Sequence, residues 1–491
     1  MAWLTKSRFL SGLQCHKRLW FEVHQPLVES AEPGIPILQG RAFDELVQRL
    51  RPGIVISRKK GMPAAIAETK RILAQGSRAA AVLYQAAFRA GDLAIIADML
   101  RRRGAEFDLV EVKSTAQVKD THVPDAAFQV LVLQRAKIPI GRVFIGHVNN
   151  RFVLQRMGDY EDLLVEADIS DSVRGYLPEA AVKSLEFQEV MASDAMPGIV
   201  VGPHCLSPHP CPYLPRCTAG QETSEYPVDV LPRGGKAVAD LLADGYRDLR
   251  EVPEPRMTTE MHRRVFEATR SGLAFFDFAA TAALRQCARP YSYLDFETIS
   301  FSVPEIIGTR PFEQLPFQWS VHVEAAAGDV RHAEYLAIES FGDFEALAGQ
   351  LVEALPAEGT IFAYNSDFEE RVLNRLAELV PTHAVALRGY AKRLVDLLPI
   401  TRAVYYHRDM RGSWSIKNVM PTIDASLGYE HLGEVQEGDG AQLAFLELRS
   451  AGVAPERAQT LRSALLRYCR HDTWVMVILR RFLCGELVLA S

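Results

Sequence analysis

The sequence predicts an α/β protein of two domains joined by a helical connector, and three observations carry that prediction. Within the first 220 of 491 residues, short β-like runs and helical stretches follow the order strand–strand–strand–helix–strand. After Pro290 a fresh set of strands and helices begins. Each half also holds charged residues at strand spacing, Glu111 with Lys113 in the first and Asp295 with Glu297 in the second.

In the first domain, residues 1–220, helical spacing of Phe9, Leu10, Leu13, Leu19 and Trp20 predicts one helix over 7–21. Phe43, Leu46 and Leu50 share a face of a second helix, 40–50. Strands are predicted at 81–84, 93–97 and 107–112, a helix at 125–135 and a strand at 142–148. Residues 221–288 have a helical pattern interrupted by Pro232, Gly234, Gly235, Pro253 and Pro255. In the second domain, 289–491, strands are expected at 291–296, 318–323 and 360–364, and helices at 344–355, 368–379 and 455–483.

With 48% hydrophobic and 24% charged residues, the composition is that of an ordinary globular protein. No apolar run reaches the roughly 18–20 residues of a membrane span, and the first residues lack a signal peptide's apolar core. A cytoplasmic location is the expectation. The net charge of −6 does not itself suggest a nucleic-acid binder, although carboxylates that hold cations add negative charge. The basic stretches Arg58-Lys59-Lys60 and Arg101-Arg102-Arg103 are those of a solvated surface. Seven cysteines in such a compartment should be reduced.

Asp98 ends one predicted strand, and Glu111 and Lys113 alternate along the next, so the latter two project to one side. Two carboxylates can hold a divalent ion that activates water and neutralises a scissile phosphate, and a lysine can orient that water or stabilise developing charge. The segment Ile96-Ala97-Asp98, Leu109-Val110-Glu111-Val112-Lys113-Ser114 and Ala127-Phe128-Gln129 resembles the RecB-like branch of the PD-(D/E)XK nucleases, whose core is restriction-endonuclease-like. The resemblance reaches back to residues 7–15 and covers roughly the first 220. It implies that Gln129 also faces the site. In many relatives a helix supplies a metal-binding His where this chain has Gly40-Arg41-Ala42-Phe43-Asp44, so Asp44 would substitute. Gln85 stands where an acid is expected.

Cys15 is followed almost 190 residues later by Cys205, Cys211 and Cys217. Four thiolates can bind zinc or an iron–sulfur cluster, and a zinc ribbon usually shows paired Cys-x2-Cys, which is absent. One Cys before the core and three after it resembles the iron–sulfur RecB-like nucleases, which implies a [4Fe-4S] cluster stapling the first helix to the domain's end. The first step of this triplet is wider than is usual there. Cys287, Cys469 and Cys484 receive no role.

In the connector, Val230 to Tyr246 resembles a helix-hairpin-helix, with Gly234-Gly235-Lys236 placing backbone N–H groups at a helix start to meet a phosphate. An ordinary helical hairpin fits the pattern as well.

Asp295 and Glu297 face one side of a predicted strand, residues 360–369 run from strand into helix, and Tyr468 and Asp472 share a helix face one turn apart. Four gathered carboxylates suit two divalent ions clamping an in-line displacement. Order and spacing resemble the DEDD 3′–5′ exonucleases of RNase H-like fold, a mixed sheet flanked by helices. The resemblance implies metal-holding roles for Asp295, Glu297, Glu369 and Asp472, and a water-orienting role for Tyr468. Glu369 stands where Asp is usual; Asp367 is the fallback, and Asp396 is a polar neighbour or a strand-end cap.

The whole chain resembles a bacterial family that fuses these two domains. The expected function is hydrolysis of DNA phosphodiester bonds at two Mg2+- or Mn2+-dependent sites, single-stranded ends favoured. RNA cleavage with the first domain as a platform, and non-catalytic nucleic-acid binding, are the alternatives.

Overall fold

The protein is described here by a computed structural model covering residues 2–27, 33–75, 81–220, 224–326 and 328–487. The first three residues of the predicted connector, 221–223, and the last four of the chain lie outside the described residues. The chain divides into two compact units: Met1–Gln221 with Phe301–Glu313, and Glu222–Ser300 with Gln314–Ser491. Both are α/β.

In the first unit, strands β1 (Leu4–Thr5), β2 (Ile54–Val55), β3 (Val82–Ala90), β4 (Leu93–Arg103), β5 (Glu106–Lys113), β6 (Ile140–Val148) and β7 (Leu164–Asp168) form one sheet. Its order is β2-β3-β4-β5-β6-β7, with β1 parallel to β4. Helices are α1 (Lys6–Gln14), α2 (His16–His24), α3 (Ile35–Leu50), α4 (Met62–Ala74), α5 (His122–Arg135), α6 (Ser170–Ala192) and α7 (Leu214–Thr218). Strands β3, β4 and β5 run antiparallel, and α5 carries the crossover to β6, which is parallel to β5. Phe9 of α1 stacks on Phe128 of α5 at 4.5 Å and meets Phe187 of α6 at 5.4 Å. These rings cover one face of the sheet, while Phe43, Leu46 and Val47 of α3 pack with Tyr84, Met99 and Val110.

The single helix expected over 7–21 is two. Cys15 takes extended backbone, φ −165° and ψ 124°, ending α1 and starting α2. Apolar periodicity cannot register one residue that leaves the helix; here that residue turns its side chain into a pocket shared with three other cysteines.

In the second unit, β8 (Phe275–Phe276), β9 (Tyr291–Ile299), β10 (Leu315–Ala326), β11 (Asp329–Leu336), β12 (Thr360–Ala363), β13 (Leu394–Asp396) and β14 (Tyr405–Tyr406) form two sheets. The main sheet runs β11-β10-β9-β12-β13, antiparallel over the first three strands and parallel from β9 to β13; β14 pairs β8. The helices are α8 (Gly235–Ala243), α9 (Glu260–Ser271), α10 (Ala282–Arg285), α11 (Phe344–Ala354), α12 (Asp367–Leu379), α13 (Ala384–Ala391), α14 (Leu397–Val404), α15 (Ile416–Ile423), α16 (Gly438–Arg449) and α17 (Pro455–Leu483). Strand β11 escaped sequence reading because it is a polar edge, carrying Asp329, Arg331, His332 and Glu334. The predicted connector belongs to this unit's core, where Leu231, Leu249, Val265 and Phe266 join Tyr293, Phe362 and Leu479. Gly234 and Gly235 start α8, but the element before them is one 3-10 turn, Val228–Val230, so the described residues show no helix-hairpin-helix there.

Among the described residues no helix is long and apolar enough to cross a membrane.

Candidate active sites

The first constellation forms where two strands part. Strand β5 pairs with β4 only from Met99↔Val110 to Arg103↔Glu106. Beyond that point the Asp98 carboxylate replaces the missing backbone acceptor, taking the Val112 N–H at 3.1 Å. Lys6, which follows β1, fills the opening. Glu111 Oε1 accepts from Lys6 and from Lys113, both at 2.6 Å, and its Oε2 accepts from Gln129 Nε2 at 2.7 Å. Lys113 also reaches Asp125 Oδ2 at 2.8 Å.

The sequence expectation of Asp98, Glu111, Lys113 and Gln129 at one place is thus met by geometry, and Lys6 and Asp125 are additions. Asp125 could have been found, since it sits one turn before Gln129 on α5. Lys6 could not, because 105 residues separate it from Glu111.

Burial opposes charge at Glu111, yet the ammonium groups of Lys6 and Lys113 hold it well below the usual carboxylate range. Burial and then the charge of Glu111 push Asp98 up to about 8. Burial and the same charge take Asp44 of α3 to about 6, which puts Asp44 within electrostatic reach of the cluster. Gln85 stands opposite Asp98 on β3 with φ 53°, a left-handed backbone.

Four carboxyls (Asp44, Asp98, Glu111, Asp125) face two ammonium groups, so ionising all four leaves a shortfall of two positive charges that one divalent ion would make up. Gln129 Oε1 is buried without a hydrogen-bond partner among the described residues, and a buried orphan acceptor is costly. Asp98 and Glu111 are the carboxylates that would hold a cation, Glu111 giving up contacts with Lys6, Lys113 or Gln129 for it.

None of the seven cysteines forms a disulfide. Cys15, Cys205, Cys211 and Cys217 line one pocket with Lys17 and Arg18. Gln14 ties α1 to the cysteine loop, donating to the carbonyls of His204 at 2.8 Å and His209 at 2.7 Å. Burial pushes the Cys211 and Cys217 thiols up; Cys211 also feels Cys15 and Cys205, and Cys217 feels all three other sulfurs. The one group of three or more such ligand atoms within 4.8 Å of one another among the described residues lies elsewhere. The four sulfurs are therefore spread wider than a tetrahedral zinc site, whose Zn–S bonds of about 2.3 Å set sulfurs about 3.8 Å apart. Lys17 and Arg18 would offset the negative charge of thiolates gathered there.

The second constellation is on the main sheet of the second unit. Asp295 and Glu297 lie on the central strand β9, opposite Ser320 and Gln318 of β10. Helix α12 presents Glu369, which is 3% exposed, while Asp367 at its start is exposed; Glu369, not the fallback, is the inward acid. Helix α17 brings Tyr468 and Asp472. Asp472 Oδ1 accepts from the Tyr429 hydroxyl. Asp396 caps α14, accepting from Leu398 N at 2.9 Å, and also accepts from Asn365 N at 2.8 Å.

Burial first, then the charges of Asp472, Glu297 and Glu369, push Asp295 well above the usual carboxylate range. Glu297 rises for the same reasons. Burial takes Glu369 to about 8 and Asp472 to about 6, the latter restrained by Tyr429, Lys417 and Tyr468. Burial and the carboxylates push the Tyr468 hydroxyl far up, so it stays protonated.

Two residues without an expected role belong here. Cys469 Sγ donates to Asp295 Oδ2 at 3.5 Å and lies within 4.8 Å of ligand oxygens of Asp295 and Glu297. Burial and the neighbouring carboxylates keep it a thiol, so it orients Asp295 rather than adding a thiolate ligand. Lys417 sets its ammonium over the rings of Tyr429 at 5.1 Å and Tyr468 at 5.2 Å and lowers Glu297 and Asp472. Glu369 Oε2 is buried with no partner among the described residues. Four carboxyls against one ammonium, with an orphan oxygen among them, fit divalent cations.

Comparison with known proteins gives two results. The family described as "Domain of unknown function (DUF2779)" matches residues 292–415, which include Asp295, Glu297 and Glu369 but neither Tyr468 nor Asp472. The chain is 26% identical over 210 residues to "Uncharacterized protein MG366" of Mycoplasma genitalium, covering 39% of this chain and 31% of that protein. It is 26% identical over 211 residues to the homolog of that protein in Mycoplasma pneumoniae, covering 39% and 32%. The matched region spans about a third of the length of these curated relatives.

Proposed function

We propose that the chain is a metal-dependent nuclease that hydrolyses phosphodiester bonds of DNA, with single-stranded ends as its preferred substrate. The observation that carries this reading is that Asp295 and Glu297 lie within 4.8 Å of each other and of Cys469, and feel the charges of Glu369 and Asp472 with too little positive charge to balance them. A site built this way is unstable when ionised, unless cations enter. The motif order also resembles the DEDD exonucleases, and the first unit's motifs resemble the RecB-like nucleases.

Bound Mg2+ or Mn2+ would neutralise the scissile phosphate and activate water. Asp295, Glu297, Glu369 and Asp472 would hold the ions in the second unit, and Asp98 and Glu111 in the first. Tyr468, held protonated, orients the attacking water and does not act as a base. Tyr429 and Cys469 fix Asp472 and Asp295 through hydrogen bonds. In the first unit Lys113 and Lys6 steady Glu111 and are available to a phosphate. Cys15, Cys205, Cys211 and Cys217 are proposed to hold a [4Fe-4S] cluster with a structural role.

The test is cleavage of end-labelled single- and double-stranded DNA and RNA in Mn2+ by wild type, Lys113→Ala and Asp295→Ala. Distinct products lost in each variant support two catalytic sites. Activity unaffected by either change overturns the reading. A second reading, in which only Asp295 matters and the first unit is a platform, draws on the occupation of Glu111 by two ammonium groups. A ribonucleotide preference would redirect the substrate to RNA.

A further inference from the structure

Helix α17 presents a second face. Tyr468, Cys469 and Asp472 turn to the carboxylates, whereas Arg467, Arg470, His471 and Trp474 fall at i, i+3, i+4 and i+7 and share the opposite side. That side borders an open pocket of about 380 Å3, completed by His322 and His332 from the β10–β11 hairpin and by His431. Its size is that of a small-ligand site.

The chemistry of the walls is specific. Arg467 and Arg470 are exposed, and neither guanidinium has a hydrogen-bonded or ion-paired partner among the described residues. One acid, Glu334, lies 3.8 Å from His332 and within electrostatic reach of Arg470, against two guanidinium groups. The His322 and His332 rings lie 4.5 Å apart and His322 is 5.5 Å from Trp474, which remains half-buried. Burial keeps both imidazoles neutral, lowering His322 to about 3 and His332 to about 4. His322 Nδ1 already bonds Thr473 and His332 Nε2 bonds Ser320, so an anion is left to the arginines.

An accessible indole beside two unpaired guanidinium groups is what a single strand needs, with bases stacked on an aromatic and phosphates on cations. We propose that this pocket is a second binding site for single-stranded nucleic acid, in which Trp474 stacks on a base and Arg467 and Arg470 hold backbone phosphates. The proposal rests on the nuclease reading and adds to it. The pocket and the carboxylates flank one helix about 10–12 Å across, so a strand several nucleotides long reaches both and a mononucleotide does not.

The experiment uses the full chain with the double variant Arg467→Glu/Arg470→Glu, and Arg467→Ala/Arg470→Ala as a milder control of folding. Binding of a fluorescent thymidine decamer in EDTA is followed by anisotropy against salt, and hydrolysis of a chromogenic diester of thymidine 5′-phosphate is followed in Mn2+. The expected result is decamer binding weakened about tenfold or more and a salt slope smaller by about two, with diester hydrolysis unchanged. Decamer should quench tryptophan emission in wild type more than in Trp474→Phe. Unchanged affinity and salt slope in both double variants overturn the pocket while leaving the nuclease reading standing. Competition by thymidine 5′-phosphate as effective as by decamer also overturns it, in favour of a mononucleotide site. Wild type that neither binds decamer nor cuts the diester overturns both readings together.

Discussion

Lys6 and Cys15 bracket a single nine-residue helix, α1, so one end of that helix touches Glu111 and the other faces the cysteine pocket. At 1.5 Å per residue the two lie about 13 Å apart along its axis. The helix is a rigid strut between the cysteines and the first carboxylate cluster.

Loss of the cysteine anchor should therefore reach the carboxylates. Cys15→Ser is expected to lower Lys113-dependent cleavage and leave Asp295-dependent cleavage unchanged. Lys6→Ala should do the same, by about 10- to 100-fold, the effect of a hydrogen bond to a charged group of about 1.5–3 kcal/mol. Product patterns of the two variants against wild type check this, and an equal loss at both sites would refute the strut.

The stability of the metal-free protein should fall as pH rises. Asp98 and Glu369 stand near 8 in the fold, against ordinary carboxylate values near 4 when unfolded. Between those values the folded state binds more protons than the unfolded one, so the slope of stability against pH is negative. Melting temperature without metal should drop from pH 5 to pH 8.5, and Mn2+ should restore more of it at the higher pH. Asp295→Asn should raise the metal-free stability at pH 8, since it removes a buried acid that the neighbouring carboxylates disfavour as an anion. A flat profile would count against the clustered acids.

Tyr429 acts through Asp472. Tyr429→Phe removes the hydroxyl that donates to Oδ1, and should lower kcat about 10-fold with little change in KM. A change confined to KM would instead make Tyr429 a substrate contact.

The cysteine pocket should yield about four irons per chain after anaerobic purification. Cys205→Ser and Cys211→Ser should each abolish the visible absorption. Stoichiometric zinc with no iron would overturn the cluster.

Much of the scaffold was legible from periodicity. Helices α11, α12 and α17, and strands β5, β9 and β10, fall within a few residues of where their apolar spacing places them. The misses have physical causes. Strand β11 is a polar edge, β13 has three residues, and the break at Cys15 is one residue inside an unbroken apolar pattern.

The sequence by itself determined the α/β class, the carboxylates at strand and helix spacing, and the split set of four cysteines, because local geometry alone puts Glu111 beside Lys113 and Tyr468 beside Asp472. Tertiary structure alone decided that Lys6 meets Glu111, that Lys417 and Tyr429 meet the acids of the second unit, and that Glu369 is buried while Asp367 is exposed. Those pairings join residues tens to hundreds of positions apart, and only the closing of the sheets, with the burial it forces on charge, brings them together.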